Sequence, residues 1–231
     1  MEPETHEILL VLGLLVSPGI LLSTAFGLRR LLTRRDRAPI NLTILSLLAG
    51  AGSVAILVGF HEPPSALDRL VFDEFKAGVT IPLMEEGLKA LMILLLTRMR
   101  SVKDALDGLF VGACVGLGFT VVENHLFFMS APTFDILEAM YVGRTFAPVH
   151  VVAASWVGAA FGWQRSGVSP MKASLGVIGA LLAAVAFHGL GNVYALGMPH
   201  PTFFIHIVIT LIALGSTLFV IAKWTRATET R

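Results

Sequence analysis

Charge is scarce in this chain: Asp, Glu, Lys and Arg make up 14% of its 231 residues, against 55% hydrophobic. A soluble domain carries about 25% charged residues, so an ordinary water-soluble fold is excluded. Cysteine is nearly absent too. The single Cys114 permits neither a disulfide framework nor a CxxC metal site, and is expected to be a packing residue. Several hydrolase signatures are also missing: there is no HExxH, no GxSxG nucleophile elbow and no GxGD motif with paired intramembrane aspartates. No polar segment is long enough for a second, water-soluble domain, so residues 1–231 are expected to form one transmembrane helical bundle.

What is present is long apolar sequence. Stretches at 8–28, 40–60, 77–97, 105–129, 145–164, 172–196 and 203–222 each approach or exceed the roughly 20 residues that cross a bilayer as a helix. They run twice the length of a spanning strand without alternation, which predicts an all-α polytopic membrane protein with seven transmembrane helices. Basic residues fix its orientation. Arg29, Arg30, Arg34, Arg35 and Arg37 follow span one, Arg98, Arg100 and Lys103 span three, Arg165 and Lys172 span five, and Lys223, Arg226 and Arg231 span seven. The alternate connectors hold only Arg69, Lys76 and Arg144. The positive-inside rule therefore places the N-terminus outside and the C-terminus in the cytoplasm of what is expected to be the cell membrane. The net charge of +1 says nothing of nucleic acid, since the basic residues cluster in short loops and not along one face; the lipid bilayer is the expected partner, with no nucleic acid.

The acidic start MEPETHE, with positive charge after the first apolar run, predicts an uncleaved span and not a signal peptide. Gly108, Gly112 and Gly116 in span four, and Gly158 and Gly162 in span five, recur at four-residue spacing and predict close helix packing. In the connector 65–76, Leu67, Leu70, Val71 and Phe75 sit at helical spacing among charges, which suggests a short helix on the outer surface.

Away from the span ends, the charged residues inside the apolar runs are Glu85, Glu86 and Lys89 in span three and Glu123 in span four. Each costs about 2.5 to 3.5 kcal/mol to insert and is a functional candidate for that reason. His150 in span five and His188 in span six, the latter with Asn192 one turn on, join them. With the topology above and 1.5 Å per residue, Glu85 lies about 12 Å, Glu123 about 9 Å, His150 about 8 Å and His188 about 12 Å below the outer end of its span. Four residues from four helices share one layer. Glu85 and Glu86 can each reach Lys89 along the helix, and His188 and Asn192 face one way. Pro82 and Pro148 lie just before these polar residues, where a kink frees backbone carbonyls. Three carboxylates and one lysine leave a formal negative balance that must bind a divalent cation or hold protons. Glu123, His150 and His188 supply the three N or O ligands of a catalytic zinc site, with Glu85 or Glu86 as general base. A metal-independent version has a glutamate and a histidine jointly activating water, while His188 and Asn192 bond the developing oxyanion. The other histidines, His6, His61, His125, His200 and His206, are expected to be solvated.

These motifs resemble the PrsW family of intramembrane proteases, within the superfamily that includes the CAAX prenyl endopeptidases. The matching elements are EEGLK (Glu85, Glu86, Lys89), GFTVVEN (Phe119, Glu123, Asn124), His150, and HGLGN (His188, Asn192), covering about residues 77–196, the expected catalytic core. The resemblance implies proteolysis of a membrane-tethered substrate on its extracytoplasmic side, such as a single-span anti-sigma factor. CAAX endopeptidases carry EExxxR and FxxxH; here the basic residue comes one position earlier and Glu123 stands in place of that histidine. Two other functions compete. One is a non-catalytic scaffold, since the superfamily also resembles the seven-span structural subunit of gamma-secretase; the other is a proton- or cation-coupled transporter using the same ionisable residues. The glutamate pair favours catalysis over a scaffold, and the lack of repeats disfavours transport.

Overall fold

A computed structural model describes residues 39–60, 75–130 and 149–197, together with six isolated positions. The expected spans at 8–28 and 203–222 and the amphipathic connector 65–76 lie largely or wholly outside these residues. Among the described residues there is no strand, and five helices follow one another: α1 (Ile40–Phe60), α2 (Ile81–Thr97), α3 (Ala105–Ser130), α4 (Val149–Gln164) and α5 (Pro170–Gly197). Three of them, over Ile40–Gly59, Ala105–Phe127 and Pro170–Val193, are long and apolar enough to cross a bilayer.

The helices stop where the sequence offers chemistry to stop them. Asp104 caps α3, its Oδ1 accepting from the backbone N–H groups of Leu106 and Asp107 at 3.0 Å each. α4 closes through Arg165 N–H to Gly162 O, and Gly167 then takes a φ of 76°, which side chains with a Cβ resist. Short connections make α2 and α3, and α4 and α5, antiparallel neighbours. The basic residues Arg98, Arg100 and Lys103, and Arg165 and Lys172, thus lie at one end of the bundle.

α3 is the axis. Its apolar window is 83% buried, whereas those of α1 and α5 are 33% and 28% buried and turn Leu48, Leu175 and Leu182 outward. α4 packs along one side of α3 and α1 along another. The predicted glycines make that possible: a Cβ on Gly108, Gly112 or Gly116 would run into the backbone carbonyl of Gly158, Ala154 or His150 respectively. Two of the hydroxyls buried in α1 are satisfied locally, Ser46 and Ser53 each donating to the carbonyl four residues back at 2.8 Å.

α2 is preceded by a π-helical turn, Lys76–Thr80, whose wider register runs Ile81 N–H to Lys76 O. The next carbonyl, that of Ala77, would take its proton from residue 82 in that register. Residue 82 is proline and has none. Asn192 on α5 fills the position, its Nδ2 donating to Ala77 O at 3.1 Å. The turn and α5 approach until a Cβ on Gly189 would meet the backbone of Gly78.

Candidate active site

Four helices contribute to one buried cluster at the bundle end away from the basic loops. α2 supplies Glu85, Glu86 and Lys89, α3 supplies Phe119 and Glu123, and α4 and α5 supply His150 and His188. Glu86 and Lys89 have no exposed surface at all, so every polar atom they carry has to be matched inside the protein.

Lys89 is the natural starting point because an ammonium can only donate. Its Nζ lies 2.6 Å from Glu86 Oε1 and 2.9 Å from His150 Nδ1. Nδ1 of His150 is therefore an acceptor, the ring proton sits on Nε2, and Nε2 donates to Glu123 Oε2 at 2.7 Å. The Phe119 ring completes the cradle, with its centroid 4.1 Å from the ammonium.

His188 carries the opposite tautomer. Its Nδ1 lies 2.9 Å from Glu86 Oε1, an oxygen that can only accept, so Nδ1 holds the proton. Its Nε2 is left with a lone pair, 3.7 Å from Glu85 Oε2. The ring sits between the two adjacent glutamates and offers one nitrogen to each. The two imidazoles meet edge to face at 4.5 Å between centroids.

This arrangement has one open place. Glu85 Oε2 is buried and has no hydrogen-bond donor among the described residues, and the same holds for Glu86 Oε2. Two lone-pair atoms facing each other across 3.7 Å call for a positive charge or a donated proton between them. Glu85, His150 and His188 each offer one donor atom, and these lie within 4.8 Å of one another. Ligands held about 2.0 to 2.2 Å from a zinc at tetrahedral angles sit about 3.4 Å apart, so a modest contraction brings the three into range. One carboxylate and two imidazoles are also a known catalytic zinc set. The residues fit a metal ion.

Six of the seven residues singled out in the sequence, Glu85, Glu86, Lys89, Glu123, His150 and His188, thus belong to one network. Two sit differently from expectation. Glu123, expected as a ligand, accepts from His150, and Glu85 takes its place among the donors lying closest together. Asn192, expected at the oxyanion, bonds the turn before α2. Phe119 carries a contact with Lys89 that the sequence argument did not assign, although its position one turn before Glu123 puts both on one face. His125 is exposed, as expected, and Cys114 is packed in the core.

A family model described as PrsW family intramembrane metalloprotease matches residues 38–217. The comparison with curated proteins and that with solved structures gave no match. The matched segment is wider than the motif-bearing core and reaches from before α1 to beyond α5.

Proposed function

Because the chain belongs to the PrsW family of intramembrane metalloproteases, we propose that it hydrolyses a peptide bond of a single-span membrane protein, of the anti-sigma-factor kind, near the extracytoplasmic face of the cell membrane. The observation that carries the proposal is the pair of facing lone-pair atoms, Glu85 Oε2 and His188 Nε2, buried 3.7 Å apart with His150 beside them. In this reading the chain crosses the membrane seven times, N-terminus outside and C-terminus inside, as one domain. The cluster lies at the end opposite the basic loops, which supports an outward-facing site.

Each side chain has a task that follows from its bonds. Glu85, His150 and His188 would hold the metal, which we take to be zinc. When bound, such an ion supplies a Lewis acid that polarises the scissile carbonyl and makes water a better nucleophile at neutral pH. Glu86 Oε1 keeps the His188 proton on Nδ1 and so keeps Nε2 pointed at Glu85, the orienting role carboxylates play behind ligating histidines. Glu86 Oε2 is the acceptor left for the proton of the attacking water, and it returns that proton to the leaving amine. Glu123 fixes the His150 ring. Lys89 offsets the carboxylate charge, and Asn192 acts through the turn before α2.

The full chain in lipid nanodiscs, incubated with a tethered reporter peptide, is expected to lose cleavage on Glu85→Gln and on Glu86→Gln. Removal of a group that acts on the reacting atoms costs about 10²- to 10⁴-fold. Wild-type cleavage in both variants would refute the assignment. Elemental analysis of the same active sample tests the metal: activity without bound zinc transfers the chemistry to Glu85 and His188 acting on water directly.

A further inference from the structure

The hydrogen bond from Lys89 to His150 has a consequence for the metal site. A neutral imidazole has one lone-pair nitrogen, and in His150 that nitrogen, Nδ1, is occupied by the Lys89 ammonium at 2.9 Å. Ligation through Nδ1 needs that lone pair, so the ammonium must leave. Ligation through Nε2 needs the ring proton to move to Nδ1, away from Glu123, and Nδ1 then has a hydrogen where Lys89 also presents one. Either route breaks the same bond. His188 carries no such conflict, because its Nε2 is free while Nδ1 donates to Glu86.

We propose that Lys89 is an internal competitor for the third metal ligand: it withholds His150 from the cation, so that loading of the site requires the ammonium to leave His150 and stay with Glu86 alone. The proposal rests on the metal site described above. The geometry for the exchange is present. Glu86 Oε1 already holds the ammonium at 2.6 Å, the shorter of its two bonds, and the Phe119 ring 4.1 Å away can keep the charge while His150 is released. Glu86 Oε1 also lies 3.8 Å from His150 Nδ1, so the ammonium has only a small distance to withdraw. Lys89 is here a positioning residue that sets how tightly and how fast the protein takes up a divalent ion.

The test is metal affinity, which needs no turnover. The full chain in nanodiscs is titrated with Zn²⁺ as wild type, Lys89→Met, His150→Ala and the double variant. Lys89→Met is expected to tighten binding by about tenfold or more, the scale on which groups behind a ligand act. The gain should vanish when His150 is also replaced. Binding no tighter in Lys89→Met overturns the proposal, and so does an equal gain in the His150→Ala background, which would mean that the ammonium merely repels cations. If Lys89→Met does not fold, ¹⁵N-histidine spectra of the unaltered protein carry the test. Without metal His150 should be protonated at Nε2 and His188 at Nδ1, and Zn²⁺ should shift both ring nitrogens of His150. Zn²⁺ binding that leaves the His150 signals unchanged overturns the proposal. Cleavage assays on the same samples report separately on the proteolytic function.

Discussion

Gly116 offers the sharpest test of how the fold holds its site. It lies on α3 where α4 crosses, and a Cβ there would press into the carbonyl oxygen of His150 while standing 2.8 Å from Val151 Cα. Carbon atoms rest about 3.5 to 4.0 Å apart, so α4 must retreat by about 1 Å. All three atoms met are backbone, so no rotamer change can absorb the strain, and overpacking of this kind costs about 1 to 3 kcal/mol. The catalytic consequence is larger. A retreat of about 1 Å stretches the bond from His150 to Glu123 on α3 from 2.7 Å past hydrogen-bonding range and shifts the ring from its place beside Glu85 and His188, and a displacement on that scale costs about 10²-fold in rate. The assay is cleavage of a tethered reporter by Gly116→Ala beside its thermal unfolding in detergent. Gly52→Ala is the control, since a Cβ there meets nothing within 4 Å. Full cleavage by Gly116→Ala, or equal losses in both variants, would refute the claim that this contact sets His150.

Other outcomes follow from single bonds. Asn192→Ala leaves Ala77 O without its donor and is expected to cost about 1 to 3 kcal/mol in thermal stability. Pro82→Ala supplies a backbone N–H at the position whose lack created the need, so the two substitutions together should destabilise by less than their sum; strict additivity in a double-mutant cycle would count against the account. Asp104→Ala removes the cap of α3 and is expected to lower stability by about 0.5 to 2 kcal/mol, with Asp104→Asn close to neutral in the same melting experiment.

How much could be read in advance depended on which physical rule governed each residue. The cost of burying charge marked Glu85, Glu86, Lys89 and Glu123 without any structure, and level arithmetic on uniform helices put Glu85, Glu123, His150 and His188 in one layer. The structure joins Glu86, Lys89, Glu123, His150 and His188 in one hydrogen-bonded network, with Glu85 3.7 Å from His188 at its edge. The spacing of Gly108, Gly112 and Gly116 likewise foretold the α3–α4 contact, because close backbone approach has few other solutions. Partner choice was not legible. Adjacent glutamates point about 100° apart, and only the placement of the His188 ring between them lets both take part. Histidine tautomers depend on what lies opposite each nitrogen, which spacing does not encode; Lys89 decides one and Glu86 the other. The π-helical turn defeated the spacing argument for Asn192, since its need arises from a local change of register next to Pro82.

The way the cluster is shared among helices also bears on how the protein comes to be made. Its components arrive from the ribosome in the order Glu85, Glu123, His150, His188, with more than a hundred residues between first and last. The central helix α3 is enclosed by partners that precede it and partners that follow it. A nascent chain inserted only as far as α4 would hold Lys89 against His150 yet lack the one imidazole with an open nitrogen. The set of Glu85, His150 and His188 is therefore complete only once α5 docks, so a half-inserted chain would lack the site on which the proposed hydrolysis depends.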